Sequence, residues 1–295
     1  MVSGARRCAA CVSSAQASRG PPLRTVYLGT AQFAAALLRH LVAAGTVPEL
    51  VVTRPDRPAG RGRKLTAPPV ADTARELGIA VAQPEDVNDE SGRELIAEAA
   101  PDALLVCAYG ALIREPLLSS YEILNVHPSL LPRWRGAAPI ERAIIAGDSE
   151  TGISIMRLVE GLDCGPVCAA VREPIAANDT FGTLSERLEL RSADLLNEVL
   201  GSPRAFVEQD ESAASYAEKI VAADRILDPS SSAAEQDRVV RALSPHIGAR
   251  AELEDGTMLG VRGAHLEDDR LIYDEVVPPG SRAMSWEEFQ RGRGE

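Results

Sequence analysis

Apolar positions along the chain fall into short buried runs alternating with helical stripes. Arg24 to Thr30, with Val26-Tyr27-Leu28 at its centre, reads as a buried first strand ending in a glycine turn. From Gln32 to Ala44 the apolar residues recur at helical spacing, with Gly45 placed to cap the helix. Leu50–Thr53 reads as a second strand. The glycine- and proline-rich stretch Arg54 to Val70 then breaks the pattern as a loop, before a helix at about Ala71 to Leu77. Ile79–Val81 is predicted as a short strand, 90–100 as a helix, and Asp102 to Tyr109 and Tyr121 to Val126 as apolar strands. Further strands are expected at Gly152 to Met156 and Pro166 to Val171, and a helix from Thr183 to Leu200. Strands alternating with helices predict an α/β domain, a Rossmann-like doubly wound and mainly parallel sheet.

Beyond Pro203 the pattern changes. Glu208 to Ser215 is polar and acidic, like a linker. After Tyr216–Ile220 comes a helix at Ala233 to Leu243, then short strands near 249–253, 258–265 and 270–277, with Asp255-Gly256 as a hairpin turn. This suits a small C-terminal β-barrel. The division expected is therefore a tail at 1–23, a catalytic domain at 24–203, a linker at 204–215 and the C-terminal domain at 216–295.

Composition narrows the class. Hydrophobic residues make 45% and charged residues 25% of the chain, as in a globular protein, and no apolar run nears the roughly 20 residues of a membrane span. The net charge of −12 is uneven, for residues 205–295 hold 10 basic and 19 acidic side chains. An acidic protein that binds nucleic acid must do so through a local basic patch. The five cysteines do not suggest a disulfide framework, and Cys8-x-x-Cys11 has half a zinc-site spacing with no second pair, so no metal is expected. Residues 1–23 are rich in Ala, Ser and Arg and lack acid. They read as a disordered tail or a targeting extension, giving a cytoplasmic protein, or an organellar one if the tail is a transit peptide.

The chemistry concentrates in Leu124 to Pro139. Asn125 and His127 stand two residues apart at a strand end, where ligands of such sheets bind, and Asp163 lies downstream in Gly161-Leu162-Asp163-Cys164-Gly165. An amide can hold a carbonyl oxygen as it becomes an oxyanion, an imidazole can move a proton, and a carboxylate can fix the imidazole's tautomer. That set fits acyl transfer to an amine without a covalent enzyme intermediate. The loop Arg54 to Lys64 carries Arg54, Arg57, Arg61, Arg63 and Lys64 against Asp56, a local excess suited to phosphate contacts. Arg133 and Arg135 would extend that patch, with Trp134 between them either packing in the core or stacking on a base. Gly29-Thr30-Ala31 lacks the full glycine pattern of a dinucleotide site.

From Arg24 to Gly292 the chain resembles the folate-dependent formyltransferases. The resemblance rests on Thr53 to Gly62, Asn125 to Pro139, Ala146-Gly147-Asp148 through Gly152, Gly161-Leu162-Asp163 and Tyr216-Ala217-Glu218-Lys219. It implies Asn125, His127 and Asp163 as the catalytic trio, Ser129, Leu130, Leu131 and Pro132 lining the folate site, and the basic loop on tRNA. The implied donor is 10-formyltetrahydrofolate and the implied acceptor the α-amine of methionyl initiator tRNA. The C-terminal domain would be an oligonucleotide-binding-like barrel, and the enzyme a metal-independent monomer away from membranes. Cys164 stands where the family usually has Thr, a weaker donor beside Asp163. The acidic C-terminal region also departs from the positive channel expected of a tRNA-binding barrel. A formyltransferase acting on a small amine, such as glycinamide ribonucleotide or an amino sugar, keeps the same trio. A tRNA-binding protein without activity would not need it.

Overall fold

The computed structural model describes residues 23–59, 62 and 64–293. The tail with Cys8 and Cys11, together with Arg61 and Arg63, lies outside the described residues. In chain order the first elements are β1 (Thr25–Gly29), α1 (Gln32–Ala43), β2 (Leu50–Val52), β3 (Arg57–Ala59), β4 (Lys64–Thr66), α2 (Pro69–Glu76), β5 (Val81–Ala82) and α3 (Glu90–Glu98). Next come β6 (Ala103–Cys107), α4 (Leu117–Ser120), β7 (Glu122–His127), β8 (Arg135–Gly136), α5 (Pro139–Ala146), β9 (Glu150–Arg157), β10 (Val167–Pro174) and α6 (Phe181–Leu200). The C-terminal part has β11 (Tyr216–Ala217), α7 (Ala233–Leu243), β12 (Ala249–Glu252), β13 (Met258–Glu267), β14 (Arg270–Val277), β15 (Met284–Ser285) and α8 (Trp286–Arg293).

Seven strands form the main sheet in the order β10-β9-β7-β6-β1-β2-β5. The five from β5 to β7 are mutually parallel, and β9 and β10 run antiparallel at one side. Alternate residues of each parallel strand feed opposite cores, which is why these segments read as unbroken apolar runs. Tyr27, Val51, Leu105 and Leu124 pack with α1, α2, α5 and α6. Val26, Leu28, Val52, Val106 and Ile123 pack with Ile96 of α3 and Leu117 of α4 on the other face. Gly29 is needed where α1 meets the sheet, because a Cβ there would stand 2.8 Å from the Tyr27 ring and 2.9 Å from the Ala34 Cβ.

Three local expectations are corrected. Arg54 to Val70 is not simply a loop, since β3 and β4 pair antiparallel within it, Arg57 opposite Thr66 and Ala59 opposite Lys64. Helix α2 begins earlier than expected, at Pro69, because a proline at the first turn has no amide hydrogen to leave unpaired. Ile79 closes that helix by donating its N–H to the Ala74 carbonyl, so the following strand begins only at Val81.

The C-terminal β domain is a four-stranded antiparallel sheet, β12-β13-β14-β15, with α7 packed on it through Val240 and Leu243. Asp255-Gly256 makes the first hairpin turn as expected, with Gly256 at φ 79°. The second hairpin turns on Asp268 and Asp269, both at positive φ, which closes β13 onto β14 in two residues. The two sheets meet through polar contacts. Arg142 pairs with Asp224 at 2.9 Å, Arg241 donates to the Asp179 carbonyl at 2.9 Å, and His246, stacked on Phe181, contacts Glu141 at 3.0 Å. No helix among the described residues is long and apolar enough to cross a membrane.

Candidate active site

Parallel pairing places the ends of β2, β1, β6 and β7 along one edge. Val52, Leu28, Val106 and Asn125 lie level in the register. With strands about 4.8 Å apart, the root of the basic hairpin sits roughly 14 Å from Asn125 on that edge. The loops are tied there: Thr30 Oγ1 donates to the Tyr109 carbonyl at 2.6 Å. Burial pushes the Tyr109 phenol up to about 12, against the pull of the Arg54 cation that faces it.

Asn125 and His127 alternate with Val126 at the end of β7 and are buried, at 7% and 4% exposure. Asp163 comes from the turn between β9 and β10. Its Oδ1 accepts from Asn125 Nδ2 at 3.4 Å, and its Oδ2 faces His127 Nδ1 at 3.5 Å. The carboxylate thus carries one of the other two side chains on each oxygen. Asp163 Oδ2 also accepts the Gly136 amide at 2.8 Å. His127 Nε2 lies 2.8 Å from the Trp134 carbonyl oxygen, which can only accept, so Nε2 bears the donated proton. Nδ1 is then the nitrogen directed at the carboxylate. Trp134 and Asp163 both have positive φ, 63° and 48°, strained conformations that persist where surrounding bonds over-determine them.

The loop after His127 is held by internal bonds. Ser154 Oγ donates to the Ser129 carbonyl at 2.8 Å and accepts the Leu131 amide at 3.1 Å, while Ser129 Oγ donates to the Arg133 carbonyl at 2.6 Å. Two surface depressions flank this stretch rather than enclosing the trio. One, of about 220 Å³, has Leu130 and Trp134 in its wall, and the other, of about 300 Å³, has Leu131 and Pro132.

Arg133 and Arg135 do not extend a basic patch. Arg133 forms a two-pronged bond to Asp148, at 2.8 and 2.7 Å, and lies over the Trp134 ring. Burial pushes the Asp148 carboxyl up, but the bonds from Arg133 and the Trp134 indole outweigh it and hold it below the usual carboxylate range. Arg135 is 1% exposed and bonded to Gln209 and Glu211, so a cation that looked available is enclosed. Trp134 is half-buried, with its indole N–H on Asp148 and its ring under Arg133. Cys164 Sγ reaches the Glu160 carbonyl at 3.7 Å, keeping the thiol within its own turn.

The basic hairpin is different. Asp56, its one acid, accepts from Gln83 Nε2 at 2.7 Å, and the same amide holds the Arg54 carbonyl at 2.9 Å. Arg57 and Lys64 are exposed and have no ion-pair partner among the described residues.

Sequence reasoning gave no role to Gln209 and Glu211, and met Gly136 and Asp148 only as parts of matching motifs. For Gln209 and Glu211 the hint was the acidic composition of the Glu208 to Ser215 run, which gave no partner for it. Residues of that run lie against the site: the Trp134 amide donates to Ser215 Oγ at 3.0 Å, and β11 pairs in parallel with β8. Gly136 is required there, at φ 118°, since a Cβ would stand 2.8 Å from the Ala217 carbonyl oxygen.

The Formyl transferase family model matches residues 23–200. A methionyl-tRNA formyltransferase of Halorhodospira halophila is 40% identical over 92% of this chain and 96% of its own length. One from Aromatoleum aromaticum is 41% identical over 92% of this chain and 94% of its length. Among solved structures, HypX from Aquifex aeolicus in complex with tetrahydrofolic acid shares the fold, with a TM-score of 0.62 at 15% identity over 92% of this chain and 47% of that one. Matched by the family model over more than half its length and by these relatives along nearly all of it, the chain belongs to the formyl transferase family, among the methionyl-tRNA formyltransferases.

Proposed function

We propose that the protein transfers the formyl group of 10-formyltetrahydrofolate to the α-amine of methionyl initiator tRNA. The observation that carries this is the Asp163 carboxylate, with Asn125 on one oxygen and His127 on the other, at the end of a parallel strand. The amine nitrogen attacks the formyl carbon and forms the new C–N bond. Asn125 Nδ2 donates to the formyl oxygen as it gains negative charge; loss of one such donor typically costs about 10²–10³ in rate. With Nε2 already donating to the Trp134 carbonyl, His127 takes up at Nδ1 the proton that the amine nitrogen sheds as the C–N bond forms, and passes it to the folate nitrogen, whose bond to the formyl carbon breaks. Asp163 holds the ring and balances its charge during that transfer. Nothing in this sequence passes through a covalent enzyme intermediate or a metal ion.

Ser129, Leu130, Leu131 and Pro132 would take the donor, with the leucines as its apolar wall. Since Ser154 occupies the Ser129 carbonyl and the Leu131 amide, recognition by this stretch falls to the side chains and the remaining backbone groups. The hairpin cations Arg54, Arg57, Arg61, Arg63 and Lys64 would hold the tRNA phosphates. The reading places the enzyme in the cytoplasm, as a monomer of two domains joined at 204–215. The test incubates the purified chain with 10-formyltetrahydrofolate and methionyl initiator tRNA, with glycinamide ribonucleotide in parallel. Formylation of the tRNA alone, abolished in His127→Ala, is the expected result. Transfer only to the small amine would overturn the acceptor and keep the trio.

A further inference from the structure

We infer that Gln209, on the segment between the two sheets, is a positioning residue that locks the His127 loop to the Asp163 loop. It rests on the reading of the trio as the reacting groups. The Gln209 Oε1 accepts from Arg135 Nε at 3.0 Å and from Arg135 Nη2 at 2.9 Å. Its Nε2 donates to the Asp163 carbonyl at 2.9 Å and to the Gly165 carbonyl at 2.7 Å. A carboxamide has two lone pairs and two N–H donors, so all four are used and the side chain has no freedom to turn.

What the amide joins matters more than the number of its bonds. Arg135 lies between Trp134, whose carbonyl accepts the hydrogen bond from His127 Nε2, and Gly136, whose amide donates to the Asp163 carboxylate. The guanidinium is buried, and its other prong goes to Glu211 at 2.9 and 2.7 Å. On the far side, Gln209 grips the backbone of Asp163 itself. Two loops with strained residues at their working points, Trp134 and Asp163, are therefore bridged by one side chain that touches neither imidazole nor carboxylate. The segment that carries it is anchored in turn, since Val207 exchanges both backbone bonds with Val167 at 2.9 Å. Further along, β11 pairs with β8, so this segment reaches Asp163 by two routes, through Gln209 on its backbone and through the Gly136 amide on its carboxylate.

Two substitutions separate the arms. Gln209→Glu keeps an acceptor for Arg135 but turns an oxygen toward the Asp163 and Gly165 carbonyls, so it breaks the Asp163 arm alone. Gln209→Leu breaks both. Displacing a reacting group by about 1 Å can cost about 10²-fold. In the tRNA formylation assay Gln209→Glu should lower kcat by about 10- to 100-fold, with both KM values within about twofold of wild type, the signature of a group acting on the transition state. Its Tm should stay near wild type, whereas Gln209→Leu should lose Tm as well. In protein labelled with ¹⁵N-histidine, the ring signals of His127, assigned by their loss in His127→Ala, should move in Gln209→Glu. Wild-type kcat in Gln209→Glu, or a loss of rate matched by the unfolded fraction, would overturn the proposal. Should the wild type formylate no tRNA, the functional reading fails by itself, and the His127 ring signals decide: movement upholds the lock and identity with wild type refutes it.

Discussion

Two arginine- and glycine-rich loops rise from the same edge of the main sheet, and they treat their charges in opposite ways. Between Pro132 and Pro139 every cation is matched: Arg133 by Asp148, and Arg135 by Gln209 and Glu211. In the β3–β4 hairpin, Arg57 and Lys64 face solvent, and the one acid is turned to Gln83. A guanidinium held by a fixed carboxylate organises backbone, and here that backbone holds His127 and Asp163. Cations left without a carboxylate are ready for phosphates. Composition alone makes the two loops look alike; the partner each side chain finds separates a scaffold from a docking surface.

The most severe way to break the matched loop is through its backbone. Gly136→Ala would force a positive φ on a residue with a Cβ and drive that Cβ against the Ala217 carbonyl, which cannot retreat without disturbing β11. The Gly136 amide would shift from Asp163. The expected outcome is a fall in kcat of about 10²-fold, with strain of about 1–3 kcal/mol in urea unfolding. Unchanged kcat would mean that the amide bond to Asp163 contributes nothing, and the contrast between the loops would lose its mechanistic content.

The parallel sheet was legible in the sequence because both its faces are buried, which leaves continuous apolar runs such as Ala103–Cys107. Helix α7 was legible to the residue because Ser232 and Glu235 form a capping box at its start and its apolar stripe is regular. Asn125, His127 and Asp163 could be singled out because their residue types suit one chemistry and two of them share a strand end. The matching of Arg135 was not legible. Its partners lie 74 and 76 residues away, and nothing local distinguishes an enclosed arginine from an exposed one. The same holds for β3 and β4: three-residue strands carry too little periodicity to stand out from a loop.

The contrast can be sharpened at a matched cluster away from the chemistry. Asp179, 4% exposed, accepts from Arg187 at 2.8 and 2.6 Å, and the Arg187 hydrogen bonds are the main cause holding its carboxyl down to about 2. In the unfolded chain an aspartate titrates near about 3.9. The stabilisation is therefore complete above about pH 4, fades as pH falls, and is gone near pH 2. Asp179→Asn should cost about 2 kcal/mol at pH 7, and the gap to wild type should close between about pH 4 and 2 in urea unfolding. kcat should hold. A gap independent of pH would assign the effect to packing instead of charge.

The smallest effects belong to the unmatched side, and there the comparison meets its most direct test. Arg57→Ala and Lys64→Ala each remove one cation that the protein itself does not use. Each should raise the KM for tRNA several-fold, roughly 1 kcal/mol, and leave kcat unchanged. Each should also lower the slope of log affinity against log salt by about one, as expected when a single phosphate contact disappears. Arg133→Ala is the matched counterpart, removing the same charge from the same edge. Because Asp148 already neutralises Arg133, its loss should leave the salt slope where it was and show instead as a lower Tm, with the Asp148 carboxylate left to the Trp134 indole alone. A salt slope that fell equally in Arg57→Ala and Arg133→Ala would place both loops on the tRNA, and the internal carboxylate would then be only a resting partner that phosphate displaces.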